Sequence, residues 1–129
     1  MKYPVQNGKE VIFENMKKEN SFTLKNQERE LYDFGDTDIE VYLEDMFAQP
    51  GYQFVVLAAP VAQNGIRFVQ ATVHKNGELE VELGVEGDGT RLVYKICSVE
   101  ECYEIFFDFY ENCFNPDLSE YKPVQFMTH

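Results

Sequence analysis

From Gln53 onward the chain is a succession of short apolar and alternating runs separated by glycine turns. The stretch Gln53 to Ala59 is continuously apolar, which predicts a strand covered on both faces. Pro60 is expected to stop its ladder, and Asn64-Gly65 to turn the chain into Ile66 to His74. Asn76-Gly77 then lies between two alternating runs and predicts a hairpin with two candidate registers. A two-residue turn would set Val73 against Glu80 and Ala71 against Glu82, mixing apolar and acidic side chains on one face. A three-residue loop, with Gly77 left-handed in a bulge, pairs Val73 with Leu79, Ala71 with Val81 and Val69 with Leu83. Thr72 then meets Glu80, and Gln70 meets Glu82, on the opposite face. Because a one-residue slip flips every side chain, clean separation of the faces selects the bulged loop.

Thr90 to Cys97 extends the pattern as a fourth strand. Across the loop Glu86-Gly87-Asp88-Gly89 the expected neighbours are Leu92 with Leu83, Tyr94 with Val81 and Ile96 with Leu79. Lys95 then faces Glu80 in a favourable cross-strand pair. The expected sheet has one apolar face and one polar, mostly acidic face.

Helical periodicity appears on either side of this meander. Thr37-Asp38-Ile39-Glu40 reads as a capping box, with Asp36 and Asp38 placed where the helix dipole is positive. Ile39, Tyr42, Leu43, Met46 and Phe47 follow at i, i+3, i+4, i+7 and i+8, and Pro50-Gly51 ends the helix. Ser98-Val99-Glu100-Glu101 is a second capping box, opening a helix to about Cys113 before Asn115-Pro116. Val99, Cys102, Tyr103, Phe106, Phe109, Tyr110 and Cys113 share its apolar face. Residues 1–35 form an N-terminal arm or hairpin, with Glu10 to Phe13 and Ser21 to Leu24 as short strands and Lys25 to Glu30 as a loop or frayed helix. Asp117 to His129 is a tail with edge-strand character at Val124-Gln125-Phe126. The fold expected is therefore α+β in a single domain over 1–129. It is a four-stranded antiparallel meander with helices on one face, in the order arm-α-β-β-β-β-α.

Composition narrows the function. At 129 residues the chain can bury roughly two-thirds of its unfolded surface, and the 44% hydrophobic content argues for an ordered core. The net charge of −12 would repel a phosphate backbone or an anionic membrane and would steer a basic protein partner inward. Cys97, Cys102 and Cys113 make neither an even framework nor a C-x-x-C, and His74 and His129 are the only histidines, so neither metal nor cofactor is expected. An apolar signal region is not visible after Met1, which points to the cytoplasm. A monomer or a homodimer fits equally.

The sharpest chemical feature is the stripe Glu101, Glu104, Asp108 and Glu111, at i, i+3, i+7 and i+10 on the polar face of the second helix. Read blandly it is a solvated face; read functionally it meets a basic partner. The ladder Glu78, Glu80, Glu82 covers the open sheet face, either as edge protection and solubility or as a surface for lysine and arginine. Cys102 and Cys113 are expected to be inert core thiols, and His74 has no nucleophile or acid fixed beside it. Glu86-Gly87-Asp88-Gly89 lacks the lysine and following helix of a phosphate loop, and no calcium-loop pattern or Ser-His-Asp set can be assembled. No enzyme activity is expected.

The run Tyr94-Lys95-Ile96-Cys97-Ser98-Val99-Glu100-Glu101-Cys102-Tyr103-Glu104-Ile105-Phe106-Phe107-Asp108-Phe109-Tyr110, closing at Asn115-Pro116, resembles bacterial polymorphic-toxin immunity proteins of the Imm1-like group. The resemblance spans about residues 37–126 and departs in lacking tryptophan. It implies a small cytoplasmic antitoxin that neutralises a toxin domain by binding it, and such toxin domains tend to be basic. The alternative is a protein resembling secretion chaperones, which would hold an effector segment on an exposed sheet and helix face.

Overall fold

The computed structural model describes residues 21–51 and 53–125. The proposed strand at Glu10 to Phe13 lies outside them. Among the described residues, seven strands form one antiparallel sheet in the order β2-β1-β3-β4-β5-β6-β7, with two α-helices. In chain order these are β1 (Thr23–Lys25), β2 (Glu30–Leu31), α1 (Asp36–Ala48), β3 (Phe54–Gln63), β4 (Ile66–Val73), β5 (Leu79–Gly87), β6 (Gly89–Ile96), α2 (Val99–Tyr110) and β7 (Lys122–Pro123). The class is α+β, and the meander β3 to β6 is the centre of a wider sheet.

The β4–β5 hairpin has the bulged register: Val73 pairs with Leu79, Ala71 with Val81, Val69 with Leu83, Thr72 with Glu80 and Gln70 with Glu82. Gly77 carries φ +93°, and its N–H donates to the His74 carbonyl at 2.8 Å. Only glycine adopts that backbone without strain, so the bulge fixes the register. At the β3–β4 turn Asn64 and Gly65 are both left-handed, at φ +49° and +83°, the conformation a two-residue hairpin loop requires.

The β5–β6 register differs from the expectation by one residue. Gly87 pairs with Gly89, leaving Asp88 alone at the tip, and Gly89 has φ +123°. Two glycines permit this tight reversal, which the four-residue loop did not anticipate. Leu83 therefore meets Val93, and Val81 meets Lys95. Leu92, Tyr94 and Ile96 turn onto the face that carries Glu80 and Glu82, whereas Lys95 turns toward the helices.

Other boundaries move for local reasons. β3 continues past Pro60, because a bulge between Ala58 and Gln63 breaks the ladder where proline lacks a donor. Its Val55, Leu57 and Ala59 are buried while Phe54, Val56 and Ala58 are only half-buried, so the strand is not covered on both faces as expected. Lys25 to Glu30 is the tight link between β1 and β2, where the buried Asn26 side chain accepts from the N–H groups of Glu28 and Arg29 at 2.8 and 2.9 Å. The N-cap of α1 is Gly35, two residues before Thr37, and its N–H donates to the Asp38 carboxylate at 2.9 Å. Ser98 caps α2 as expected, accepting from Glu101 N–H at 3.1 Å. α2 ends at Tyr110 because Asn112 turns left-handed at φ +64° and Cys113 N–H closes onto the Asp108 carbonyl at 2.9 Å. The edge strand of the tail comes slightly earlier than expected, with Val93 opposite Pro123.

Both helices pack on the face formed by Val55, Leu57, Val69, Ala71, Val81 and Leu83. α1 buries Ile39, Tyr42, Leu43 and Met46; α2 buries Cys102, Ile105, Phe106 and Phe109. Complete burial of Phe106 and Phe109 stabilises the fold by about 2 kcal/mol each. Ile105 belongs to this stripe, whereas Val99 is 45% exposed. Among the described residues, no element covers the opposite sheet face, and no helix is long and apolar enough to cross a membrane.

Candidate functional site: two acidic surfaces

The seven carboxylates singled out by the sequence do not form one site. Glu101, Glu104, Asp108 and Glu111 belong to α2 and its C-cap, on the helix side of the sheet. Glu80 and Glu82 point to the open side, whereas Glu78 is exposed in the hairpin loop before β5.

On the helix side, Glu101 is already engaged. Its carboxylate lies 2.5 Å from Lys95 Nζ, which also contacts Glu120 at 3.0 Å and lies 4.9 Å from the centre of the Tyr121 ring. Burial disfavours the Lys95 charge, yet the hydrogen bonds to Glu101 and Glu120 outweigh it and hold the pKa above the ordinary lysine value. This contact exists only because the β5–β6 register sends Lys95 to the helix side. Glu104, Asp108 and Glu111 stay exposed with no ion pair among the described residues.

These three belong to a larger field. α1 carries Asp36, Asp38, Glu40, Glu44 and Asp45, α2 carries Glu100, Glu101, Glu104 and Asp108, and neither helix has a lysine or arginine. The pairs Glu40/Glu44, Glu100/Glu104 and Glu104/Asp108 are like charges at i, i+4, each destabilising by about 0.2–0.5 kcal/mol. Asp108 and Glu111 oppose the dipole at the end of α2. Between the helices runs a seam of half-buried rings. Tyr103 packs edge-on against Phe47 at 5.8 Å and stacks on Phe107 at 6.0 Å. Tyr110 donates to the Phe34 carbonyl at 2.9 Å. Partial burial, then Glu44 and Glu40, raise the Tyr103 pKa; partial burial, then Asp36, Asp33 and Asp38, raise that of Tyr110. The rings thus sit inside the acidic field.

The open face has a different composition. Three rows of cross-strand neighbours run over it: Ala58-Phe68-Gly84-Leu92, Val56-Gln70-Glu82-Tyr94 and Phe54-Thr72-Glu80-Ile96. The Phe68 ring lies across Gly84, where a Cβ would come within 2.2 Å of it. Glu82 is half-buried beside Glu80, and its pKa is pushed up to about 7, first by burial and then by the hydrogen bond to Glu80 and its charge; His74 opposes this. His74 Nε2 is 2.8 Å from Glu80. β5 has strands on both sides, so the carboxylate ladder does not protect an edge. An open cleft of about 490 Å³ lies between Glu80 and Tyr94 on one wall and Lys122 to Gln125 on the other.

Burial first, then neighbouring charge, raises the Cys97 thiol to about 11, and burial raises Cys102 further, so both are protonated at neutral pH. Cys113 is exposed beyond the helix rather than in the core, with Asp108 as its neighbour. No group of His, Cys, Asp and Glu among the described residues could hold a metal ion. The acidic stripe was legible from period alone; the ring seam was not, since Phe47 and Tyr103 come from different helices. No family model, curated protein or solved structure matches this chain.

Proposed function

We propose that this chain is a non-catalytic binding protein, an immunity-type antitoxin of the cytoplasm that neutralises a basic toxin domain by covering it. The helix side is the contact surface, with Glu104, Asp108 and Glu111 at its centre. One observation carries the reading: half-buried rings lie between two helices whose charges are all negative. Aromatic anchors inside a complementary field are what a tight charged interface uses, rings for affinity and field for rapid association. The like-charge pairs cost stability that a surface selected for solubility alone would avoid by interspersing lysine.

The test compares the chain with the double variant Glu104→Lys/Asp108→Lys as bait in native cell lysate at low salt. A small basic domain should bind the unaltered chain, leave as salt rises, and bind the variant at least tenfold more weakly. Equal capture by both baits would overturn the assignment. The open sheet face favours a second reading, a chaperone-like hold on an extended segment of another protein.

A further inference from the structure

The open face combines features that a merely solvated face does not need. Glu80 and Glu82 stand two residues apart on one face of a central strand, and Glu80 reaches His74 Nε2 at 2.8 Å. Phe68, Leu92, Tyr94 and Ile96 surround them, and Ile96 is 47% exposed. The groups facing Glu82 are Glu80 on its own strand, His74 at the end of β4, the neutral Gln70 on β4, Tyr94 on β6 and, beyond it, Lys122 on β7. Lys122 and Tyr94 line the cleft that opens beside Glu80. With a net charge of −12 on each chain, a second copy is a poor occupant. An incoming cation, by contrast, would take the place of the proton that burial and the neighbouring Glu80 favour on Glu82.

We propose that the open sheet face is a second interaction surface, one that docks an extended segment of a protein partner presenting a lysine or arginine between apolar side chains. The cation sits on Glu80 and Glu82, and its apolar neighbours rest on Tyr94, Ile96 and Leu92. The alternation of an extended segment places every second side chain on one face, matching the spacing of the rows beneath it. This inference deepens the segment-binding reading and needs no part of the helix-side one. Because Glu82 must release its proton to receive the cation, docking is linked to pH. Affinity rises between pH 6 and pH 8.

The probe is the capped peptide Ser-Val-Ser-Lys-Ser-Phe-Ser, which presents Val, Lys and Phe on one face when extended. Its control carries Glu in place of Lys. Each is titrated into the isotope-labelled full chain, followed by NMR of backbone amides and glutamate carboxyls. The expected result is shifts at Glu80, Glu82 and β6, with affinity rising roughly three- to tenfold from pH 6 to pH 8. Glu82→Gln should weaken binding and remove most of that pH dependence. Equal binding of the control, shifts confined to α1 and α2, or no shift at millimolar peptide would each overturn the proposal. So would contacts in the free protein between residues 1–20 and the open face, because the chain would then supply its own occupant. Since the helix-side test uses different residues and a different readout, either surface can fail alone.

Discussion

The two faces of this sheet are made by the same strands, yet they solve different problems. On the helix side Val69, Val81 and Leu83 are fully buried, and Lys95, a cation turned inward at the margin, has two carboxylates and a ring around it. On the open side Gln70, Glu82 and Tyr94 stand at the same strand positions, shifted by one, and are half-exposed. On the first face the cation that turns inward has its partners beside it. The other leaves a carboxyl pair beside half-exposed rings, with a histidine at one end. The difference teaches that the strand period separates stability from recognition within one element: substitutions on odd and even positions of β5 should have different consequences.

The strongest way to break this contrast is a matched truncation. Leu83→Ala should lower the unfolding free energy by about 2–5 kcal/mol in denaturant titration, with Leu92→Ala costing about 1 kcal/mol or less. Equal losses would mean that the open face is covered in the whole chain. Next in size is Lys95→Met, which leaves Glu101 near the protein interior without its cation. A loss of about 1–2 kcal/mol is expected, below that of a fully buried pair because Glu101 and Glu120 are partly solvated.

Glu82→Gln sharpens the contrast from the other side, because it should stabilise the protein. The carboxyl has its pKa raised to about 7 in the folded chain, against 4.5 ordinarily. Between these values the unfolded chain gives up a proton that the folded chain keeps, so stability falls as pH rises through the window. Glutamine removes that loss. The gain should be about 1 kcal/mol at pH 8, limited by solvent screening of a half-buried group, and near zero at pH 4.5. Thermal unfolding at the two pH values reads it directly; a destabilised variant at pH 8 would mean that the carboxylate is structural. The smallest effect belongs to Glu104→Lys/Asp108→Lys, which should move stability by no more than about 0.5 kcal/mol. A larger loss would place those side chains in the fold rather than on its surface.

Sequence pattern resolved one hairpin and missed its neighbour for a physical reason. Around Asn76-Gly77 the two registers differ in whether acids face the core, so burial chooses between them. After Glu86 the strand Arg91-Leu92-Val93-Tyr94-Lys95-Ile96 alternates between apolar residues of both parities and cations, and both registers bury something acceptable. The decision falls to Gly87 and Gly89, whose backbone freedom does not show in a hydrophobic pattern. The partner of Glu101 was invisible for the same reason, since Lys95 reaches it only in the realised register. Gly35 as an N-cap, with Asp38 returning the hydrogen bond, was hidden behind the better-looking Thr37.

The strand order carries a consequence for how the chain reaches this structure. β3, β4, β5 and β6 each pair with their immediate chain neighbours across short turns. Such hairpins close small loops, and small loops cost little entropy to form. The outer pairings are of another kind: β1 reaches β3 only across the whole of α1, and β7 reaches β6 only across α2. Loop-closure entropy therefore favours the meander pairings over the two outer ones. The carboxyl pair lies within that locally closed part, since β5 is flanked by its own chain neighbours and by neither long-range margin.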